Sequence, residues 1–207
     1  MSVFITFEGC EGCGKSTQSR LLKEYLEKSG QPFFYAREPG GTEISEKIRS
    51  IILDKDNGLM VDECEALLYA AARCQLIKEK ILPSLDRGEI VILDRYIHSS
   101  FAYQAYARGL GYDFVASVNK FALDNCMPTV TVFMDVPPET AFARKGGVDG
   151  ADRIELAGLE FHRKVYEGYL ALKEKFPDTF VSFKADGNKY QTHEKIVEYL
   201  RQNNYIK

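Results

Sequence analysis

The sequence predicts an α/β fold of three layers: a five-stranded parallel sheet in the middle, with helices on both faces. Three observations carry that prediction. Short apolar runs alternate with longer stretches whose apolar residues recur every three or four positions. One of the short runs, Ile90–Leu93, is apolar throughout, as a strand covered on both faces must be. The first run opens directly into a glycine-rich loop, the way a strand passes into a helix at the ligand-binding edge of a parallel sheet.

The elements follow in order. Val3–Phe7 is the first strand. Ser16–Lys28 is helical, with Leu21, Leu22, Tyr25 and Leu26 on one side and Gly30 as its stop. Phe33–Ala36 is a second strand, and Glu43–Leu53 a helix with Ile44, Ile48, Ile51 and Ile52 on one face. A long helix is expected over Asp62–Leu82, ended by Pro83. After the strand Ile90–Leu93, Asp113–Asn125 reads as a helix, Thr129–Met134 as the fourth strand and Pro138–Arg144 as a further helix. Leu156–Phe176 is helical, Phe180–Phe183 is the fifth strand, and Gln191–Arg201 closes the chain as a helix. No repeat or low-complexity stretch interrupts this order, and 207 residues suit a single domain over 1–207.

Composition narrows the function classes. With 27 Lys and Arg against 30 Asp and Glu, the net charge is -3, so there is no general basic field for nucleic acid. An anionic ligand must then be met by a local cluster of Arg and Lys. The apolar start at Ser2–Phe7 is too short for a targeting core or a membrane span. Five cysteines, an odd number, suggest reduced thiols in a cytoplasm.

Gly9-Cys10-Glu11-Gly12-Cys13-Gly14-Lys15-Ser16 fits the pattern G-x-x-x-x-G-K-[ST], with Thr17 next in line. The chemistry explains the spacing. Glycines let the backbone turn tightly and approach phosphate oxygens, and successive N–H groups with the following helix N-terminus meet the negative charge. Lys15 is expected on the β- and γ-phosphates of ATP and the Ser16 hydroxyl on Mg²⁺. Cys10 and Cys13 form a C-x-x-C inside the loop. A redox or zinc role competes there with simple packing of small side chains.

Asp94-Arg95-Tyr96 follows the third strand. Asp94 is placed to hold Mg²⁺ directly or through water, and Arg95 to take a phosphate in a forked bond; a helix cap beside a surface ion pair is the plainer alternative. Tyr69 and Arg73 stand four apart on one helix face, a ring and a forked donor that together suit a planar base, or else a core tyrosine and a surface arginine. Arg37-Glu38-Pro39-Gly40-Gly41-Thr42 reads as a turn with a charge pair. Arg144, Lys145 and Arg153 flank the glycine-rich stretch 146–150, either as a lid of about 144–155 that closes over phosphates or as a surface turn. His162 and His193 are expected on helix surfaces.

Five segments in this order, FEGCEGCGKST at Phe7–Thr17, REPGGT at Arg37–Thr42, YAAARCQL at Tyr69–Leu76, DRYIHSSFAYQAYARG at Asp94–Gly109 and DRIE at Asp152–Glu155, resemble the bacterial thymidylate kinases over essentially the whole chain. The resemblance implies the P-loop NTPase fold. It also implies phosphorylation of dTMP to dTDP with ATP and Mg²⁺ on the way to dTTP, in a cytoplasmic homodimer that engages neither nucleic acid nor membrane. By the same resemblance, Gly9–Thr17 binds ATP with help from Arg144, and Ser16 and Asp94 hold the metal. Glu11 approaches the acceptor sugar, and Arg95 and Arg49 hold the acceptor phosphate with Glu38 and Arg37 in support. Tyr69 stacks on thymine, while Arg73, Ser100 and Gln104 hydrogen-bond its edge and Tyr103 lies near the deoxyribose. Gly12 stands where some relatives carry a catalytic arginine, which assigns that charge to the lid: Arg153, with Arg144 behind it. A deoxynucleoside kinase is the nearest rival. Its neutral acceptor would need a carboxylate base, such as Glu38, and the arginines of the acceptor side speak against it.

Overall fold

The computed structural model describes residues 2–145 and 152–207. Five strands form one parallel sheet in the order β2-β3-β1-β4-β5: β1 (Phe4–Glu8), β2 (Phe33–Arg37), β3 (Ile90–Asp94), β4 (Val130–Met134) and β5 (Phe180–Phe183). β1 is central and every residue of it is buried. Its neighbours are set in register by Phe7 against Asp94 on one side and Phe7 against Val132 on the other. Because β1 and β3 end side by side, the loop after Glu8 and the turn after Asp94 open at the same edge of the sheet.

Alternation along the strands gives the sheet two apolar faces. Ile5, Phe7, Ile92 and Val132 point to one, where they pack with Leu22 and Leu26 of α1 (Lys15–Lys28) and Ile196 and Leu200 of α10 (Lys189–Gln202). Phe4, Val91, Leu93 and Phe133 point to the other. There they meet Leu76 of α3 (Asp62–Leu76), Phe101, and Val165 and Tyr169 of α9 (Gly158–Lys175). Helix α2 (Glu43–Leu53) starts under a Thr42 cap, whose hydroxyl accepts from Ser45 N at 3.1 Å, and packs along α3.

Three expectations need correction. Pro83 does not end the long helix. The chain passes from α3 through a π-turn at Ile77–Ile81 into α4 (Leu82–Asp86), with Pro83 in the first turn of α4, where a missing N–H costs little. The stretch Asp113–Asn125 is two helices, α6 (Tyr112–Val118) and α7 (Lys120–Asn125), broken at Asn119, whose side chain donates back to Val115 O and accepts from Arg73 of α3. His162 is fully buried on α9, edge-on to Tyr103, Phe142 and Phe161. An imidazole ring is a flat, partly apolar plate, so a polar name did not make it a surface residue. Unread altogether was α5 (Ile97–Ser100), which runs into a π-helical segment, Phe101–Ala107, before α8 (Pro138–Lys145) appears later in the chain.

Candidate active site

The loop after β1 is shaped by glycines at positive φ. Gly9 has φ 142°, Gly12 φ 74° and Gly14, at the start of α1, φ 101°. Two of these are also close approaches. A Cβ on Gly12 would lie 2.6 Å from the Ala141 carbonyl of α8, and one on Gly9 would lie 2.8 Å from both Met134 O and Cys13 Sγ. The loop is thus wedged between β4 and α8, and position 12 has no room for an arginine unless α8 moves.

Lys15 is buried, its Nζ donating to Cys10 O at 2.7 Å across the loop. Cys10 and Cys13 are fully buried and unpaired. Burial, then the neighbouring Cys13, pushes the Cys10 thiol up to about 12, where it is not a nucleophile at neutral pH. Packing of small side chains is the reading this supports. Ser16 Oγ donates to Asp94 Oδ2 at 2.5 Å, so the hydroxyl and carboxylate expected to share a cation are side by side. Both are hard oxygen donors, which fits Mg²⁺.

Arg95 follows at φ 69°, a left-handed turn that aims its side chain back over the loop. NH1 donates to Gly9 O and Ser99 Oγ, both at 3.1 Å, and NH2 to Glu11 and to Tyr103 OH at 3.1 Å. Burial alone would raise the Glu11 carboxyl; Arg95 and Lys15 outweigh it and hold it down to about 2. Glu8, at the end of β1, ties this corner together. It accepts from Tyr96 N at 2.9 Å, Ser99 N at 3.2 Å, Ser99 Oγ at 2.6 Å and Tyr169 OH at 2.9 Å.

The opposite wall comes from α3 and the turn after β2. Arg73 is 2% exposed and holds four groups at once. Its Nε and NH2 donate to Glu38 Oε2 at 2.9 and 2.7 Å, NH1 to Ser100 Oγ at 2.9 Å and to Asn119 Oδ1 at 2.5 Å, and NH2 to Tyr96 O at 3.2 Å. Burial pushes Glu38 up to about 7, although Arg73 pulls the other way. Arg37 and Arg49 converge on Pro39 O, at 2.9 and 3.1 Å, and Arg37 is also paired with Glu46. Burial and then the nearby Arg37 charge lower the Arg49 pKa, an arrangement that an incoming anion would relieve.

One cavity of about 390 Å³ joins the two sides. Its lining brings Lys15, Ser16, Asp94 and Arg95 together with Glu38, Arg49, Tyr69, Arg73, Ser100, Tyr103 and Gln104. Two expected residues are elsewhere. Arg153 donates through Nε to Ile52 O at 2.8 Å and through NH2 to Glu65 at 2.5 Å, and Arg144 donates to Ala185 O at 2.8 Å. Residues 146–151 of the lid expected over 144–155 lie outside the described residues. Sequence reasoning missed Glu8, Glu65, Ser99, Asn119 and Tyr169. A signal existed for one of them, since Glu65, Tyr69 and Arg73 follow at intervals of four on a single helix face.

A glycine loop with a buried lysine, a hydroxyl–carboxylate pair at the neighbouring strand end and a facing wall of arginines define a P-loop phosphotransferase. Comparison with known proteins sharpens the class. The family model for thymidylate kinase matches residues 7–196. The chain is 48% identical over 202 residues to a thymidylate kinase of Caldanaerobacter subterraneus, covering 96% of each chain, and 48% identical over 189 residues to one of Bacillus velezensis, covering 90% and 89%. The crystal structure of thymidylate kinase from Ehrlichia chaffeensis superposes with a TM-score of 0.78 at 30% identity, covering 97% of this chain and 98% of that one. The chain belongs to the thymidylate kinase family.

Proposed function

We infer that the enzyme passes the terminal phosphoryl group of ATP to the phosphate of dTMP, giving dTDP. One observation carries the reading: the phosphate loop and the arginine-lined wall open into the same cavity, one polyanion's cradle facing another's. The acceptor phosphate, with a second pKa of about 6, is largely a dianion at neutral pH and already nucleophilic. The protein needs no base. It needs positive charge and alignment.

The roles divide accordingly. Backbone amides of Gly9–Thr17 and Lys15 hold the ATP phosphates. Lys15 exchanges the Cys10 carbonyl for phosphate oxygen. Ser16 and Asp94 hold Mg²⁺, which, when bound, neutralises charge on the transferring phosphates. Arg95 and Arg49 take the acceptor phosphate, and Glu11, held beside Arg95, faces the sugar. Tyr69 stacks on the base, Arg73, Ser100 and Gln104 read its edge, and Tyr103 flanks the deoxyribose. Arg153 and Arg144 supply the lid's charge, which requires Arg153 to leave Glu65 when both substrates are bound. The chain works as a single domain, with 144–155 as its lid.

The arginines of the acceptor side, Arg37, Arg49 and Arg95, disfavour the deoxynucleoside kinase, because a nucleoside brings no phosphate for them to hold. Half-exposed Ile44 and Ile51, seven apart on α2, and Leu67 on α3 support a homodimer through this apolar face. All five cysteines are free, which favours the cytoplasm, and among the described residues no helix is long and apolar enough to cross a membrane. ATP consumption measured across thymidine and a panel of nucleoside monophosphates tests the assignment. dTMP is expected to lead the panel, and turnover of thymidine without dTMP would overturn it.

A further inference from the structure

One buried carboxylate has no place in the scheme above. Glu65 lies on α3 with no exposed surface, one turn before Tyr69 and two before Arg73. Its Oε1 accepts from Gln104 Nε2 at 2.9 Å. Its Oε2 accepts from Arg108 NH2 at 3.0 Å and Arg153 NH2 at 2.5 Å. Arg108 has a second partner in Asp62, at 3.3 Å, and lies over the ring of Phe161. The cluster is therefore anchored from α3, from the π-helical segment with the Arg108 that follows it, and from Arg153.

A carboxylate ringed by guanidiniums has only lone pairs to offer. The end of Gln104 that meets it must be the amide nitrogen, so the carbonyl Oε1 becomes the free end of a side chain that lines the acceptor cavity. Among the described residues no donor reaches that oxygen. We propose that Glu65 is a positioning residue: it fixes the Gln104 amide so that the acceptor base meets a carbonyl oxygen, and so selects pyrimidines that carry a hydrogen on N3. The proposal rests on the reading that Gln104 faces the base. Thymine and uracil donate from N3. Cytosine presents a lone pair there, and would set acceptor against acceptor in a buried site, a mismatch that binding sites reject strongly. Without Glu65 the amide is free to turn over and offer its NH₂ group instead.

The test compares kcat/KM for dTMP, dUMP and dCMP in the wild type, Glu65→Gln, Gln104→Leu and the double variant. In Glu65→Gln the dTMP:dCMP ratio is expected to fall at least about tenfold, while dTMP:dUMP, both with N3–H, stays within about twofold. A general loosening of the pocket would move both ratios. The double variant is expected to match Gln104→Leu. If Gln104→Leu changes the dTMP:dCMP ratio but Glu65→Gln does not, Glu65 is not the positioning group. If Gln104→Leu leaves the ratio unchanged, the reading of Gln104 as a base contact fails instead. Should Glu65→Gln not fold, the wild type still decides: the Gln104 side-chain NH₂ signals, assigned by their loss in Gln104→Leu, are expected to exchange slowly with water in the free enzyme. Rapid exchange would overturn the proposal.

Discussion

The two ends of the cavity are built by different means. The donor end is backbone: eight consecutive residues, three glycines at positive φ, and a lysine that leans on its own loop's carbonyl. The acceptor end is a mesh of side chains. Arg73 meets Glu38 across 35 positions in sequence and Asn119 across 46, and Gln104 meets Glu65 across 39. Phosphate is the same in every nucleotide, and a fixed ring of amides suffices for it. A base must be told from other bases, which calls for side chains that differ and for a second set of groups to hold them still. The donor end should therefore tolerate loss of a side chain structurally and fail chemically. The acceptor end should do both at once.

Substitution of Lys15 by Ala probes the first half of that contrast. Turnover should drop by at least about 10³-fold, because one fixed cation facing the transferring phosphates is lost. The melting temperature should stay close to wild type, since only contacts within the loop, to Cys10 O and Cys13 Sγ, are removed. Initial rates beside a thermal melt give both readings, and a large loss of stability would erase the distinction between the two ends. Arg73→Ala should instead strike both properties. It leaves Glu38, Asn119 and Ser100 buried without their shared donor, at a cost of about 3 kcal/mol, the lower end of the range because Glu38 can take up a proton. Affinity for dTMP should fall on the order of tenfold or more. Urea denaturation and a dTMP titration of the same sample check the pair, and an undisturbed dTMP affinity would remove Arg73 from the base pocket.

Acid should separate the ends as well. His98, on α5 beneath the acceptor wall, is 1% exposed and lies edge-on to Phe176 and Phe180. Burial, then the charge of Arg73, lowers its pKa to about 3 from 6.5. The unfolded chain therefore takes the proton first. The stability that neutral His98 contributes is complete above pH 6.5 and is lost as pH falls from there toward 3. Between pH 7 and 5 the loss from this residue is about 2 kcal/mol. His98→Leu should flatten that limb, and denaturant midpoints at the two pH values measure it. The smallest effect is expected at Tyr69→Phe, which keeps the stacking ring: dTMP affinity should change by less than about 0.5 kcal/mol, against about 1–3 for Tyr69→Ala. A larger effect of the phenylalanine would mean that the hydroxyl, not the ring, makes the contact.

The same contrast explains what could be read from the sequence. The strand order of chemistry, the loop, Ser16 with Asp94, and the pairing of Tyr69 with Arg73 are local patterns, and the structure brings them to one cavity. The segment Phe101–Ala107 was not legible because its π-helical turns break the 3.6-residue period on which helix reading rests. Pro83 misled because a proline early in a new helical turn removes a donor that turn does not use. Asn119 carried no local signal, because its value lies in reaching Arg73 from another helix. Glu8 and Glu65 are single acidic letters with no short-range partner, and only the folded chain shows what each one holds.

Glu8 commits both of its oxygens to Tyr96, Ser99 and Tyr169 at the tip of the central strand. Three tethers meeting at one point act like a jig, fixing the start of the glycine loop against the turn that carries Arg95. On the proposed reading, reach between the reacting phosphates is then a property of the frame, and discrimination among bases a property of the far wall. A lineage with this layout is free to retune which base it accepts by changing residues around Gln104, without having to rediscover the in-line alignment each time.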